Sequence, residues 1–341
     1  MKETKMKLVV IVMVAAAVLS SPLWADTHRN VQAVDADGYG THPDLQTTNK
    51  VTVEGVVLNR PDYMLDSTPA YDNGEAGGMW QIFIQGDVYD DHAGTVVWMA
   101  QNYDNVWGGT GMYNDPCWTY ELYRLSHDSG TAFAIQPGDK VQVTGLLKFY
   151  AGKTNINERH NTDSNNDVTI ELVEANVGIP QPEVVALSEL KDGSDSFIFD
   201  PCRLAGCEYY QGRLIRINDV SIVSCANWGP DDPGDFQTLT IQDTTGRTFP
   251  LKLGLGPGFS QFSCPSGEID VIGILDQESS SDPKVGYRIW VTNYDGNGSV
   301  LTDFGLPQNH LPGDVNLDGT VDLLDFTEFA NHWLAEHPEG T

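Results

Sequence analysis

The chain has 341 residues, 48 Asp and Glu against 19 Lys and Arg, and a formal net charge of −29 at pH 7. A hydrophobic share of 40% with 20% charged residues is that of a globular rather than a disordered chain, long enough for two domains. The acidic excess repels phosphate backbones and anionic lipid, which argues against nucleic acid as a general partner, and 34 glycines with 18 prolines argue against a long helical bundle.

Residues 1–25 read as a secretory signal peptide. Lys2, Lys5 and Lys7 precede an apolar run at 8–19 (LVVIVMVAAAVL), and a short segment then ends in the small residue Ala25. Twelve apolar residues fall short of the roughly 20 that a membrane span needs, and no later run is a better candidate. The expected location is therefore secreted, extracellular or at the cell surface, without a membrane span. Five cysteines fit an oxidising compartment, while the absence of CxxC pairs or Cys/His clusters argues against structural zinc.

Residues 26–49 are polar and aperiodic and read as a mobile leader. Alternating, β-rich segments follow at 51–58 (VTVEGVVL), 80–85 (WQIFIQ), 95–100 (TVVWMA), 140–147 (KVQVTGLL) and 168–173 (VTIELV). The first and fourth carry a mid-strand glycine, Gly55 and Gly145, so the expected unit is a small five-stranded Greek-key barrel over 50–180. An aromatic-rich insertion, 101–130, interrupts it. After Pro180 and Pro182, and a short helix at 184–190, the pattern restarts over 181–304. Its strands fall at 210–223, 237–242, 247–253, 269–275 and 287–292. The expected fold class is mainly β: two such barrels in tandem, then a short C-terminal calcium loop and helix.

The segments 51–57 (VTVEGVV), 83–85 (FIQ), 138–145 (GDKVQVTG), 211–216 (QGRLIR), 270–274 (DVIGI) and 287–289 (YRI) resemble the tandem OB-fold modules that accompany secreted bacterial nucleases and phosphatases. In that family catalysis resides in a separate, larger domain, for which this chain has no room. The OB topology pairs the first and fourth strands antiparallel. It thereby brings Cys225, after the first strand of the second module, near Cys264, before its fourth. Cys202–Cys207 is a second candidate bridge, leaving Cys117 free.

The segment 314–325 (DVNLDGTVDLLD) carries the sharpest chemistry. In a twelve-residue calcium loop Asp314, Asn316 and Asp318 occupy positions 1, 3 and 5, and Gly319 takes the sharp turn at 6. Thr320 offers its carbonyl at 7, Asp322 stands at 9 and Asp325 at 12. Calcium takes six to eight oxygens, and this spacing converges them on one centre. With Leu323, Phe326, Ala330 and Trp333 on one helical face behind it, residues 314–336 resemble a single type I dockerin repeat. They are also similar to the C-terminal tails of secreted planctomycete-type proteins. The resemblance implies bound calcium and a cohesin-like or envelope protein as partner. A dockerin normally has two repeats, however, and the upstream segment 293–300 (NYDGNGSV) places Phe304 at position 12. Residues 305–313 read as the linker.

Other signals carry less. Residues 151–154 (AGKT) imitate the end of a P-loop, but Leu147 stands where its first glycine belongs. No HExxH, GxSxG or dinucleotide fingerprint occurs. His92, His127 and His160 read as surface residues, and Trp107, Trp118 and Tyr120 either pack the insertion onto the barrel or stack on sugar rings. Arg213, Arg216, Arg247 and Lys252 are too few for a basic groove. Three functions remain in order: a non-catalytic secreted binding and attachment protein with a possible glycan ligand; an O-glycosyl hydrolase or hydrolase-associated module of polysaccharide catabolism; and a single-stranded nucleic-acid binder.

The tail yields a direct expectation. Asp314→Ala and Asp325→Ala should each strongly weaken calcium binding by the whole protein in calorimetry, from a wild-type affinity near ~10⁻⁴ M. Identical null titrations of wild type and Asp314→Ala at millimolar calcium would remove the metal-site reading.

Overall fold

The computed structural model describes residues 25–60, 78–88, 90–101, 111–131, 133–229, 237–296 and 300–302. Helix α1 (His28–Val31) precedes β1 (Lys50–Val57), β2 (Trp80–Gln85) and β3 (Gly94–Met99); helix α2 (Asp115–Leu125) then leads to β4 (Lys140–Tyr150), β5 (Lys153–Asn157) and β6 (Thr169–Glu174). The order β1-β2-β3-β5-β4 closes on itself through the antiparallel β1–β4 pair, and β3 and β5 run parallel. This is a five-stranded barrel of OB type. Val51, Val53, Ile82, Ile84, Val97, Val141, Val143 and Ile156 fill its interior, as period-two alternation requires. Gly145 sits where a Cβ would come within 2.6 Å of Ile156, so only glycine lets β4 bend there.

The fifth barrel strand differs from expectation. The segment expected at 168–173 corresponds to β6 (Thr169–Glu174), which hangs on β4 outside the closed barrel. The closing strand is β5, reached from an extended β4 through a tight turn at Ala151 and Gly152, both with positive φ. Only Ile156 of its five residues is apolar, because its outer side meets polar neighbours. The expected insertion holds α2, whose N-cap Asn114 accepts from the Cys117 N–H at 2.9 Å. Trp118 and Leu125 of α2 join the barrel core.

Residues 26–49 are not a mobile leader. His28 and Val31 are fully buried, and His28 Nδ1 lies 2.9 Å from the Thr95 hydroxyl. Gln32 donates to the Thr154 carbonyl and accepts from its N–H, imitating a strand partner for β5. Their few apolar residues hid this: the contacts are made largely by polar side chains.

The second barrel starts with β7 (Glu183–Val184), α3 (Leu187–Leu190) and α4 (Gly206–Tyr210). It continues with β8 (Leu214–Ile222), β9 (Thr238–Gln242), β10 (Thr248–Leu253), α5 (Gly258–Gln261), β11 (Glu268–Gln277), β12 (Tyr287–Val291) and β13 (Val300–Thr302). Its closed order β8-β9-β10-β12-β11 repeats the first, with β10 and β12 parallel. The β8–β11 ladder ends at Ser221 opposite Glu268. Cys225 and Cys264 therefore leave the pair symmetrically, and their disulfide spans a Cα–Cα distance of 6.0 Å. Cys202 and Cys207 do not bridge. Cys207 faces the core from α4, its thiol 3.4 Å from the Leu190 carbonyl, whereas Cys202 lies exposed in the preceding turn.

The barrels share a third apolar cluster. Leu58, Phe83 and Val96 of the first meet Leu214, Ile274 and Trp290 of the second, all at most 2% exposed. Phe83 and Trp290 meet edge to face at 6.3 Å. Beside them Gly94 and Gly212 touch backbone to backbone, where a Cβ on Gly212 would lie 2.4 Å from the Gly94 carbonyl oxygen. Truncating the central ring should loosen both units: Trp290→Ala should destabilise the protein by about 3–5 kcal/mol in urea denaturation. An unchanged unfolding midpoint would show that the barrels stand independently.

Candidate functional site

The predicted ligands Asp314, Asn316, Asp318, Thr320, Asp322 and Asp325 lie outside the described residues, as do Trp107 and residues 1–24, where a signal peptide is expected. Among the described residues no group of three or more His, Cys, Asp or Glu is placed to hold a metal ion, and no helix is long and apolar enough to cross a membrane.

OB-type barrels commonly bind ligands on the outer face of strands 2 and 3. Here part of that face in the first barrel is occupied. Phe83 and Val96 are covered by the second barrel, and Gln85 Oε1 accepts from the Leu214 N–H at 2.9 Å. The basic residues do not form a groove either. Arg213 approaches Glu183 at 3.7 Å, Arg216 pairs with Asp270, and Arg247 donates to the Lys191 carbonyl. Lys252 lies over the Trp290 ring at 4.4 Å. Burial, then the charge of Arg288, brings its ammonium pKa down to about 8. The P-loop-like Lys153 is an inter-barrel contact, reaching Asp276 at 2.5 Å and the Gln277 carbonyl at 2.6 Å.

The histidines are less superficial than their sequence setting implies. His92 bridges the barrels, 2.8 Å from Glu183 and stacked on Tyr209 at 3.9 Å. His127 Nδ1 lies 2.6 Å from the Tyr123 carbonyl. His160 is buried, edge-on to Trp98, with its Nδ1 3.2 Å from Lys148 Nζ.

A cleft of about 470 Å³ opens beside α2, lined by Met112, Tyr113, Asn114, Cys117, Tyr120, Glu121 and Thr162 among others. Its lining is tied to the residue that follows β5 through Tyr113. Tyr113 donates to Glu158 Oε2 at 2.9 Å and stacks on Trp118 at 6.0 Å. Burial, then the Glu158 charge, pushes the Tyr113 phenol far above its ordinary pKa, so it stays a donor. Glu121 is buried on the helix flank, and its Oε2 accepts from Arg124 Nε at 2.9 Å and Nη2 at 2.5 Å. Arg124 also donates to the Val168 carbonyl, tying α2 to the start of β6. Of the three aromatics considered for sugar stacking, Trp118 is consumed by the core, whereas Tyr120 is 57% exposed at the cleft. Glu121 and Glu158 carried no sequence signal, since carboxylates are abundant throughout and their placement depends on α2.

No family model matches the chain, and no curated protein sequence is significantly similar to it.

Burial and, secondarily, the Lys148 charge lower the His160 pKa to about 4 from an ordinary 6.5. Between those values the unfolded chain binds a proton that the folded state refuses, so stability rises with pH across this window and falls on acidification. Protein stability should therefore drop between about pH 6.5 and 4, and His160→Gln should flatten that part of the profile in thermal melts. Parallel wild-type and variant profiles would remove His160 as the source.

Proposed function

We propose that the chain is a secreted, non-catalytic binding and attachment protein. In this reading the two joined barrels form a rigid body, and the loop at 314–325 holds calcium and engages an envelope or cohesin-like protein. The observation that carries the reading is the coincidence of Asp314, Asn316, Asp318, Gly319, Thr320, Asp322 and Asp325 with the calcium-loop positions. The barrels support it in a second way: their charged groups at the seam bond to one another rather than to an open site.

A hydrolytic reading draws on the cleft beside α2, which presents an exposed aromatic next to a carboxylate. Glycoside hydrolysis needs two carboxyl groups flanking the scissile bond. Among the described residues lining the cleft Glu121 is the lone one, and Arg124 already holds it. The binding reading is therefore preferred. Single-stranded nucleic acid is disfavoured by the covered strand face and the net charge of −29.

The test is capture of envelope and secreted proteins on immobilised full-length protein. A partner should be retained in calcium, released by chelator and absent with Asp314→Ala. A partner profile identical in all three conditions would sink the attachment role. Turnover on a panel of glycan, nuclease and phosphatase substrates, abolished by a single carboxylate substitution, would sink the non-catalytic one.

A further inference from the structure

The cleft beside α2 has the composition of a ligand site rather than of a packing defect. One wall is the ring of Tyr120, 57% exposed, with Met112, 46% exposed, on the same opening. Large apolar side chains left open beside a concavity are where a stacking ligand gains area, and the volume of about 470 Å³ lies within the range of small-ligand clefts.

Polar groups converge on the same space with bonding capacity in hand. The Glu121 carboxylate uses Oε2 for both contacts to Arg124, and no donor among the described residues bonds Oε1. Its side chain is only 9% exposed, so this acceptor is fixed rather than waving in solvent. Asn114 spends Oδ1 on the Cys117 N–H and retains its Nδ2 donor. Thr162, which also lines the cleft, adds a hydroxyl against which the backbone closes at Gly111, where a Cβ would lie 3.0 Å from Oγ1. A fixed acceptor, an amide donor and a hydroxyl around an aromatic face match a ring that is apolar on one side and rimmed by hydroxyls.

Charge selects among hydroxyl-rich ligands. Among the described residues lining the cleft Glu121 is the lone carboxylate, and its charge is already met by Arg124, so it offers little pull on a cation. A protein of net charge −29 repels a polyanion. We infer that this cleft is a binding subsite for a neutral polysaccharide chain, with Tyr120 stacking on a sugar ring and Glu121, Asn114 and Thr162 bonding its hydroxyls. The inference deepens the binding role proposed above and rests on it.

Native affinity electrophoresis of the full-length protein tests it, in gels containing hydroxyethylcellulose, arabinoxylan or galactomannan, with alginate as the acidic comparator and chelator present throughout. At least one neutral polymer should retard the wild type. Tyr120→Ala should weaken that retardation about tenfold or more, whereas Tyr39→Ala, which removes an exposed tyrosine elsewhere, should not. Glu121→Gln, which keeps the shape of the side chain, should weaken it as well. Tyr120 is a surface residue, and circular dichroism of the variant should match wild type. Retardation by no neutral polymer, retardation by alginate alone, or equal behaviour of wild type and Tyr120→Ala would overturn the inference. The chelator separates this outcome from the calcium-dependent attachment role. Loss of partner capture with retardation intact would support the subsite while sinking only that role.

Discussion

Asp276 is fully buried on β11, and a carboxylate there is tolerable only while cations reach it. Lys153 arrives from the first barrel at 2.5 Å and Arg288 from the neighbouring strand β12, its Nε at 2.9 Å. Burial works to raise the Asp276 pKa, but the two cations outweigh it and hold the carboxyl below its usual range. Either partner lost alone would leave charge buried without compensation, the expensive case for an interior ion pair. The turn between β4 and β5 is thereby pinned to the second barrel. The apolar contact of Phe83 with Trp290 supplies the hydrophobic drive, and Asp276 supplies the register.

A second buried network carries the same logic to the N-terminal arm. Arg203 Nη1 donates to Glu208 at 2.7 Å, to Gln211 at 3.1 Å and to the Gln32 carbonyl at 3.3 Å, while Tyr287 donates to Glu208 at 2.6 Å. Burial pushes the Glu208 carboxyl up and the Arg203 guanidinium down, so each depends on the other to stay charged. Because Gln32 also pairs with Thr154, one short segment touches β5 of the first barrel and the α4 region of the second. The arm thus completes the seam from outside.

This economy has a functional consequence. A face that OB-type barrels often give to ligands is here partly given to the contact between the two barrels of the chain, and a concave surface instead lies at the α2 side of the first barrel. The cleft is held from below by Tyr113 with Glu158, and laterally by Glu121 with Arg124. Rigid support of this kind limits the ordering entropy that a ligand must overcome.

Local alternation was legible over most of the chain: β2 falls at the residues that the pattern marks, and all five barrel strands of the second module lie where predicted to within a few positions. The Cys225–Cys264 bridge followed from OB topology, because antiparallel pairing of the first and fourth strands dictates which loop ends meet. Three features were not legible. The strand β5 reads as polar because Asn155 and Asn157 are buried among polar neighbours rather than apolar ones. Residues 26–49 read as a leader because their anchoring is done largely by polar side chains such as His28 and Gln32. The cleft was invisible because Glu121, Tyr120 and Thr162 meet only once α2 packs on the barrel. Period-two hydrophobicity is a property of neighbouring residues, so the chain declares its strands by itself. Which barrel face is covered depends on contacts between residues more than a hundred positions apart, such as Gln85 with Leu214. Which polar atoms are left to bond a ligand depends on how α2 packs beside Glu158 and Thr162, and only the tertiary structure decides either.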